Sequence, residues 1–268
     1  MNAPEKIHLP DVQASPDQRR LAIQHVGVRG LRYPLQLKGQ GGTVQGTVAS
    51  VEMTVGLPPE VKGTHMSRFV EILEAQQTPL AVSELPQLLA DMLLRLEADS
   101  GRIEFAFPWF MRKAAPVSGV QSLLDYDVRL SVACAPGGTP RVDIEVVAPV
   151  TSLCPCSKQI SAYGAHNQRS LIAIRAEVRD TTLALDTLVR IAEEEASCEV
   201  FGLLKRPDEK WVTERAYDNP KFVEDLVRDI AIRLQAEPRI GEWRVSSENF
   251  ESIHNHSAYA VIEGSNRT

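Results

Sequence analysis

The chain of 268 residues has little cysteine, few aromatics, no basic excess and no long apolar run, and each shortage excludes something. Four cysteines without an apolar leader give no disulfide framework and point to a reducing compartment, the cytoplasm. Lysine and arginine total 29 against 35 acidic residues, a net charge of −6, which argues against a dedicated nucleic-acid binder with its basic domain. No stretch approaches the ~20 apolar residues that span a bilayer; the richest, Leu85–Leu96, is broken by Asp91 and Arg95. Neither nucleic acid nor membrane is therefore expected as a partner. What is present, 43% hydrophobic and 24% charged residues, is ordinary for a soluble globular protein able to bury a core without cross-links. An acidic chain can still hold a small anionic substrate in a local basic pocket.

Residues 1–20 have scattered charge and no hydrophobic period, and read as a flexible arm. Ala49, Val51, Met53 and Val55 alternate as in a half-buried strand, and further strands are expected at 102–112, 122–134, 141–149 and 169–179. Helices are expected over 64–77 and over 83–98, where Ser83 is the cap and Leu85, Leu88, Leu89, Met92, Leu93 and Leu96 form the apolar stripe. A third helix runs from a Thr182 cap to about Ala196. Asn219-Pro220 starts a fourth, because asparagine caps well and proline suits the first helical position. Two last strands fall near 239–250 and 256–263. Residues 21–268 then form one domain with halves at about 21–138 and 139–268. Each half reads as strands, two helices, strands, although no residue-level repeat is visible. The expected class is α+β, an antiparallel sheet with helices on one face, made twice.

The chemistry concentrates in Thr151–Ser170, reading TSLCPCSKQISAYGAHNQRS. This expected loop between two strands has no packing reason to hold Cys154, Cys156 and His166. Thiolate and imidazole are the usual zinc ligands, and a catalytic site takes three protein ligands and leaves one position open. A Cys-Pro-Cys also reads as two inert small side chains, a redox pair or half of a structural site. His254 and His256 fall on the same side of an extended segment. Glu224 lies on the fourth helix, where a solvated face is the plain reading. Residues 205–210 form a charge-dense loop, in default a surface turn. Residues 62–68 form a polar helix entrance able to offer N–H groups and a cation to an anion.

Together, GTHMSRF at 63–69, SLCPCSKQISAYGAHNQRS at 152–170, LLKRPDEKWVTE at 203–214, NPKFVEDLVRD at 219–229 and IHNHSAYA at 253–260 resemble GTP cyclohydrolase IB. The resemblance spans roughly residues 21–263. It implies a tunnel fold, with two tandem antiparallel sheet-plus-two-helix units per subunit assembling into barrels as a homotetramer with active sites between subunits. It implies hydrolytic opening of GTP at C8 to 7,8-dihydroneopterin triphosphate and formate, the first step of pterin and folate synthesis. A divalent ion, zinc, manganese or iron, is implied on Cys154, His166 and Glu209, with Asp208 the adjacent alternative carboxylate. Cys154, His254 and His256 are the implied catalytic set, and Glu224 the guanine-binding carboxylate. His65, Arg68, Lys158, Arg169, Lys205 and Arg206 are candidates for the triphosphate, and Cys156 stands as a neighbour of the metal site rather than a ligand. Rival readings are another tunnel-fold purine or pterin enzyme (an archaeal-type cyclic phosphate producer, a nitrile reductase) and a non-catalytic zinc-binding scaffold.

Overall fold

The structure is a computed structural model in which the described residues are Gln13 and 15–266. The arm expected over 1–20 lies mostly outside them. Its described end is docked rather than loose: Pro16 bridges Val61, and Asp17 N–H donates to Glu60 O at 2.9 Å. Strands β1 (Ile23–Lys38) and β2 (Val44–Leu57) are followed by helices α1 (Met66–Ala75) and α2 (Leu85–Leu96). Next come β3 (Gly101–Ala114), β4 (Gln121–Cys134) and β5 (Arg141–Leu153). Then follow α3 (Pro155–Ile160), β6 (Asn167–Val178), α4 (Leu185–Glu195) and β7 (Cys198–Glu199). The chain ends through α5 (Arg206–Asp218), α6 (Val223–Gln235), β8 (Ile240–Asn249) and β9 (Ala258–Ser265).

The expectation of two tandem sheets with two helices each is overturned. All nine strands belong to one antiparallel sheet in the order β1-β2-β3-β4-β5-β6-β8-β9, with β7 pairing to β5. The two halves are joined by β4 and β5, in register from Asp127 opposite Val147 to Ala133 opposite Arg141. The turn Ala-Pro-Gly-Gly-Thr-Pro at 135–140, closed by Gly138 N–H on Ala135 O at 2.9 Å, reverses the chain at once. It folds β5 back along β4 instead of opening a second sheet. The second half also carries four α-helices, not two.

One sheet face is apolar and carries the helices. On β3, Ile103, Phe105, Phe107 and Trp109 are buried, alternating with half-buried Arg102, Glu104, Ala106 and Pro108, the period of two expected of a strand. Leu89 and Met92 from α2, Leu188 and Val189 from α4, and Ile230 and Leu234 from α6 pack onto that face in a single core. Each such side chain contributes about 1.5–3 kcal/mol relative to exposure. The opposite face carries charge, with Arg129 set between Glu104 at 3.1 Å and Glu145 at 3.3 Å.

Three local expectations move. Asn219 closes α5 instead of opening α6: its N–H donates to Arg215 O at 3.1 Å and its side-chain amide to Ala196 O at 2.8 Å. The next helix waits for an extended Phe222. Ser83 lies in a short 3-10 turn before α2, and α4 is preceded by Ala184 rather than Thr182. The charge-dense stretch 205–210 is not a turn but the first part of α5. That helix buries only Asp208 and Ala216, so it has no apolar stripe to betray it.

Candidate active site at the ends of β5 and β6

Cys154 leaves β5 from a fixed platform. Leu153 N–H donates to Ser197 Oγ at 3.1 Å, and Leu153 O accepts from Lys221 N–H at 3.1 Å. The Ser170 hydroxyl donates to Ser152 Oγ at 2.8 Å, both serines being fully buried. The excursion between β5 and β6 is not an open loop but contains α3. Its two ends meet where Cys154 N–H donates to His166 O at 3.1 Å. The Ser157 hydroxyl ties both residues, donating to Cys154 O and accepting from His166 N–H, each at 3.2 Å. Ser157 N–H also points at Cys154 Sγ, 3.4 Å away. Gly164, at φ 116°, closes the return in a conformation L side chains rarely adopt.

The imidazole of His166 is held through its Nδ1. Gln168, two residues along the same strand face and buried, lies with Oε1 2.8 Å from His166 Nδ1 and Nε2 3.4 Å from Glu251 Oε1. A carboxylate only accepts, so the Gln168 NH₂ faces Glu251 and its oxygen faces the ring. Nδ1 therefore points at an acceptor, with Glu251 Oε2 3.8 Å away, the arrangement in which a ligating histidine uses its other ring nitrogen. Gln168 and Glu251 join the site although pattern reading passed over them. Glu251 stands only three residues before His254, but nothing in its neighbours in sequence points to His166.

The other expected residues fall in two groups. Phe250 N–H donates to Arg169 O at 3.0 Å, which anchors the segment bearing Glu251, His254 and His256 beside β6. The two imidazoles are exposed and stacked, centroids 5.1 Å apart and 16° from parallel, on a bend that precedes β9 rather than in the strand expected from 256. Cys156 is exposed on α3, and Lys158 is drawn over the Tyr217 ring at 4.2 Å. Asp208 is fully buried and accepts four hydrogen bonds: Val117 N–H and Ser118 N–H on Oδ1, the Ser118 hydroxyl and Lys205 N–H on Oδ2. Burial pushes its carboxyl up, but these bonds outweigh it and hold the group well below the usual carboxylate range. With both oxygens filled, Asp208 has nothing left for a metal, whereas neighbouring Glu209 is exposed, as are Lys205 and Arg206. Glu224, in the first turn of α6, faces solvent. His65 and Arg68 belong to the start of α1, where Arg68 donates to Arg95 O at 3.2 Å and lies 3.9 Å from Glu97. A cavity of about 780 Å³ beneath β1, β2 and α1, lined by Tyr33, Gln36, Val48, Gln76 and Phe110, holds none of these side chains.

Among the described residues no three histidine, cysteine, aspartate or glutamate side chains stand close enough together to hold one ion. Among them, too, no helix is long and apolar enough to cross a membrane. The chemistry of the donors nonetheless fits a borderline divalent ion: a thiol and an imidazole on residues hydrogen-bonded to each other, with the exposed Glu209 carboxylate on α5.

Comparison with known proteins follows the same direction. The profile of the family described as type I GTP cyclohydrolase folE2 matches residues 9–260. The chain is 70% identical over 266 residues to GTP cyclohydrolase FolE2 1 of Dechloromonas aromatica, covering 99% of this chain and 100% of that one. It is 62% identical to GTP cyclohydrolase FolE2 2 of Cupriavidus metallidurans, covering 97% and 96%. Among solved structures, uricase from Arthrobacter globiformis superposes with a TM-score of 0.51 at 10% identity, over 90% of this chain and 92% of that one. A mutant urate oxidase from Bacillus sp. TB-90 gives 0.52 at 10% identity, over 91% and 100%. At that identity the likeness is one of fold alone. The full-length match to the profile and to these relatives settles the kinship: the chain belongs to the type I GTP cyclohydrolase FolE2 family.

Proposed function

We propose that the protein catalyses the GTP cyclohydrolase I reaction, GTP and water giving 7,8-dihydroneopterin triphosphate and formate, at the ends of β5 and β6. The observation that carries this reading is the full-length family match at 70% identity, joined to a site in which Cys154 and His166 are hydrogen-bonded neighbours. Cys154 Sγ, His166 Nε2 and the Glu209 carboxylate are the proposed ligands of a zinc, manganese or iron ion. Asp208 is set aside because its oxygens are filled. When bound, such an ion supplies Lewis acidity that brings a coordinated water toward ionisation near neutral pH.

The remaining roles belong to side chains. Ring opening at C8 of guanine requires protons at N7 and N9 as their bonds to C8 break, and the exposed His254–His256 pair is proposed to deliver them. Guanine N1–H and its 2-amino group need two parallel acceptors, which a carboxylate offers, and Glu224 is proposed for this. The triphosphate calls for cations. Lys205 and Arg206 on α5 and Arg169 on β6 are exposed and suited; Lys158 would first have to leave Tyr217, and His65 and Arg68 lie at the start of α1. Cys156 is placed beside the site rather than on the ion.

We further take the active unit to be a homotetramer with sites completed between subunits. Support comes from the absence of a three-ligand cluster among the described residues and from exposed Ile160, Tyr163 and Ile253 around the site. Four free thiols support a reducing, cytoplasmic setting.

The test is to strip the protein with a chelator and supply GTP with and without zinc, manganese or iron, following formate and the fluorescence of the oxidised pterin. Metal-dependent appearance of both is expected. Folded protein that leaves GTP intact with every ion would overturn the reading.

A further inference from the structure

The carboxylate that is not free for a metal has a use of its own. The segment leading into α5 lies on the β3–β4 hairpin of the first half at several points. Lys113 Nζ donates to Val200 O at 2.9 Å, and a Cβ on Gly202 would come within 2.6 Å of Leu123 O, so only glycine permits that approach. At the hairpin tip, Gly119 N–H donates to Ala115 O at 3.0 Å, and the tight turn presents Val117 N–H and Ser118 N–H together to Asp208 Oδ1, both at 2.8 Å. Asp208 Oδ2 takes the Ser118 hydroxyl at 2.6 Å and reaches back to Lys205 N–H at 2.8 Å, capping its own helix. One buried carboxylate thus fastens a loop of the first half to the first helical turn of α5, which carries Lys205, Arg206 and Glu209.

We propose that Asp208 is the positioning residue of this turn, so that the β3–β4 hairpin tip sets where Glu209 presents its carboxylate. The inference rests on the reading of Glu209 as a metal ligand. Asp208 touches neither substrate nor ion; it acts through the helix start. Asparagine at 208 would keep the two bonds on one oxygen but turn an NH₂ toward Lys205 N–H, donor against donor, and so release the cap. Alanine at 118 removes the hydroxyl bond to Asp208 and the long one that Val120 N–H makes to the same oxygen at 3.4 Å.

The experiment is a chelator-competition titration of zinc into the stripped full chain, for parent, Asp208→Asn, Ser118→Ala, Glu209→Gln and the double variant Asp208→Asn/Glu209→Gln. Far-UV circular dichroism and gel filtration establish that each is folded. Groups that orient ligands typically cost 10–100-fold in metal affinity when changed, so Asp208→Asn is expected to weaken zinc binding by about that factor and Ser118→Ala by less. In the Glu209→Gln background the same change should add under about twofold, because the residue it acts through is gone. Parent-like affinity in folded Asp208→Asn, or in Ser118→Ala should the asparagine variant not fold, overturns the proposal. So does an undiminished effect in the double variant. Glu209→Gln with parent affinity instead overturns the ligand reading of Glu209, and that single arm separates the two failures.

Discussion

Replacing Lys113 by methionine tests whether the junction between the halves is held by a buried charge network. Lys113 Nζ lies 2.6 Å from Glu193 Oε1, and the same oxygen accepts from the hydroxyl of Tyr126 at 2.7 Å. The lysine and glutamate side chains are 11% and 10% exposed, so solvent cannot take over if one partner is lost. Methionine fills the stem but leaves the Glu193 carboxylate in the core with one neutral donor, and Val200 O without its partner. Breaking a buried pair from one side costs about 3–5 kcal/mol. At a urea m-value of ~3 kcal/mol/M, the midpoint should fall by about 1–1.7 M. Lys113→Met/Glu193→Leu should recover part of this, because no charge is then stranded. Recovery is incomplete because removing Glu193 also takes the acceptor from the buried Tyr126 hydroxyl, which costs about 1–3 kcal/mol. Urea unfolding followed by fluorescence at one fixed protein concentration measures all of these, since assembly makes apparent stability concentration-dependent. A single variant within about 1 kcal/mol of the parent, or a double variant less stable than the single, would refute the reasoning.

Glu224→Gln should raise KM for GTP by about ten- to a hundredfold, the value of a charged hydrogen bond, while metal content stays at the parent level; an unchanged KM returns Glu224 to the solvated face on which it lies. His256→Ala should lower kcat by about a hundredfold or more if the imidazole moves a proton; metal analysis of the same sample checks it, because lost metal would make the residue a ligand instead. The Cys198 thiol is pushed up to about 11 by burial and, next, by the charge of Glu199. At pH 8 only about one molecule in a thousand carries its thiolate, and stability supplied by the protonated form fades as pH rises from the ordinary thiol value toward 11. Mass spectrometry after a thiol reagent at pH 8 should find Cys156 modified first and Cys198 only on unfolding; equal rates would contradict the burial argument.

Most strands and the apolar helices were legible because they bury one face, and burial writes a period of two or 3.6 into the residues that bear it. β1 escaped notice because it is an edge strand in which only Leu35 and Leu37 are buried, so its alternation is faint. Helix α5 escaped because its one deeply buried polar group, Asp208, looks in sequence like any other charge in a dense run. The motif around Cys154 and His166 was recognisable from residue types alone, since thiol and imidazole have no packing reason to sit beside Pro155 and Gly164. Strand pattern records which faces are buried and carries no record of which edge meets which, so β4 against β5 emerges only from the pairing.

The sequence by itself determined the family and most of the strands and apolar helices, because these depend on side-chain type and local period. Tertiary structure alone decided that the strands join in one sheet, that Gln168 links His166 to Glu251, and that Asp208 is spent on the β3–β4 hairpin while Glu209 is exposed. The last two depend on which hydrogen-bonding group finds which partner across some 80 to 90 residues of chain, a choice made by packing and not inscribed in any local pattern.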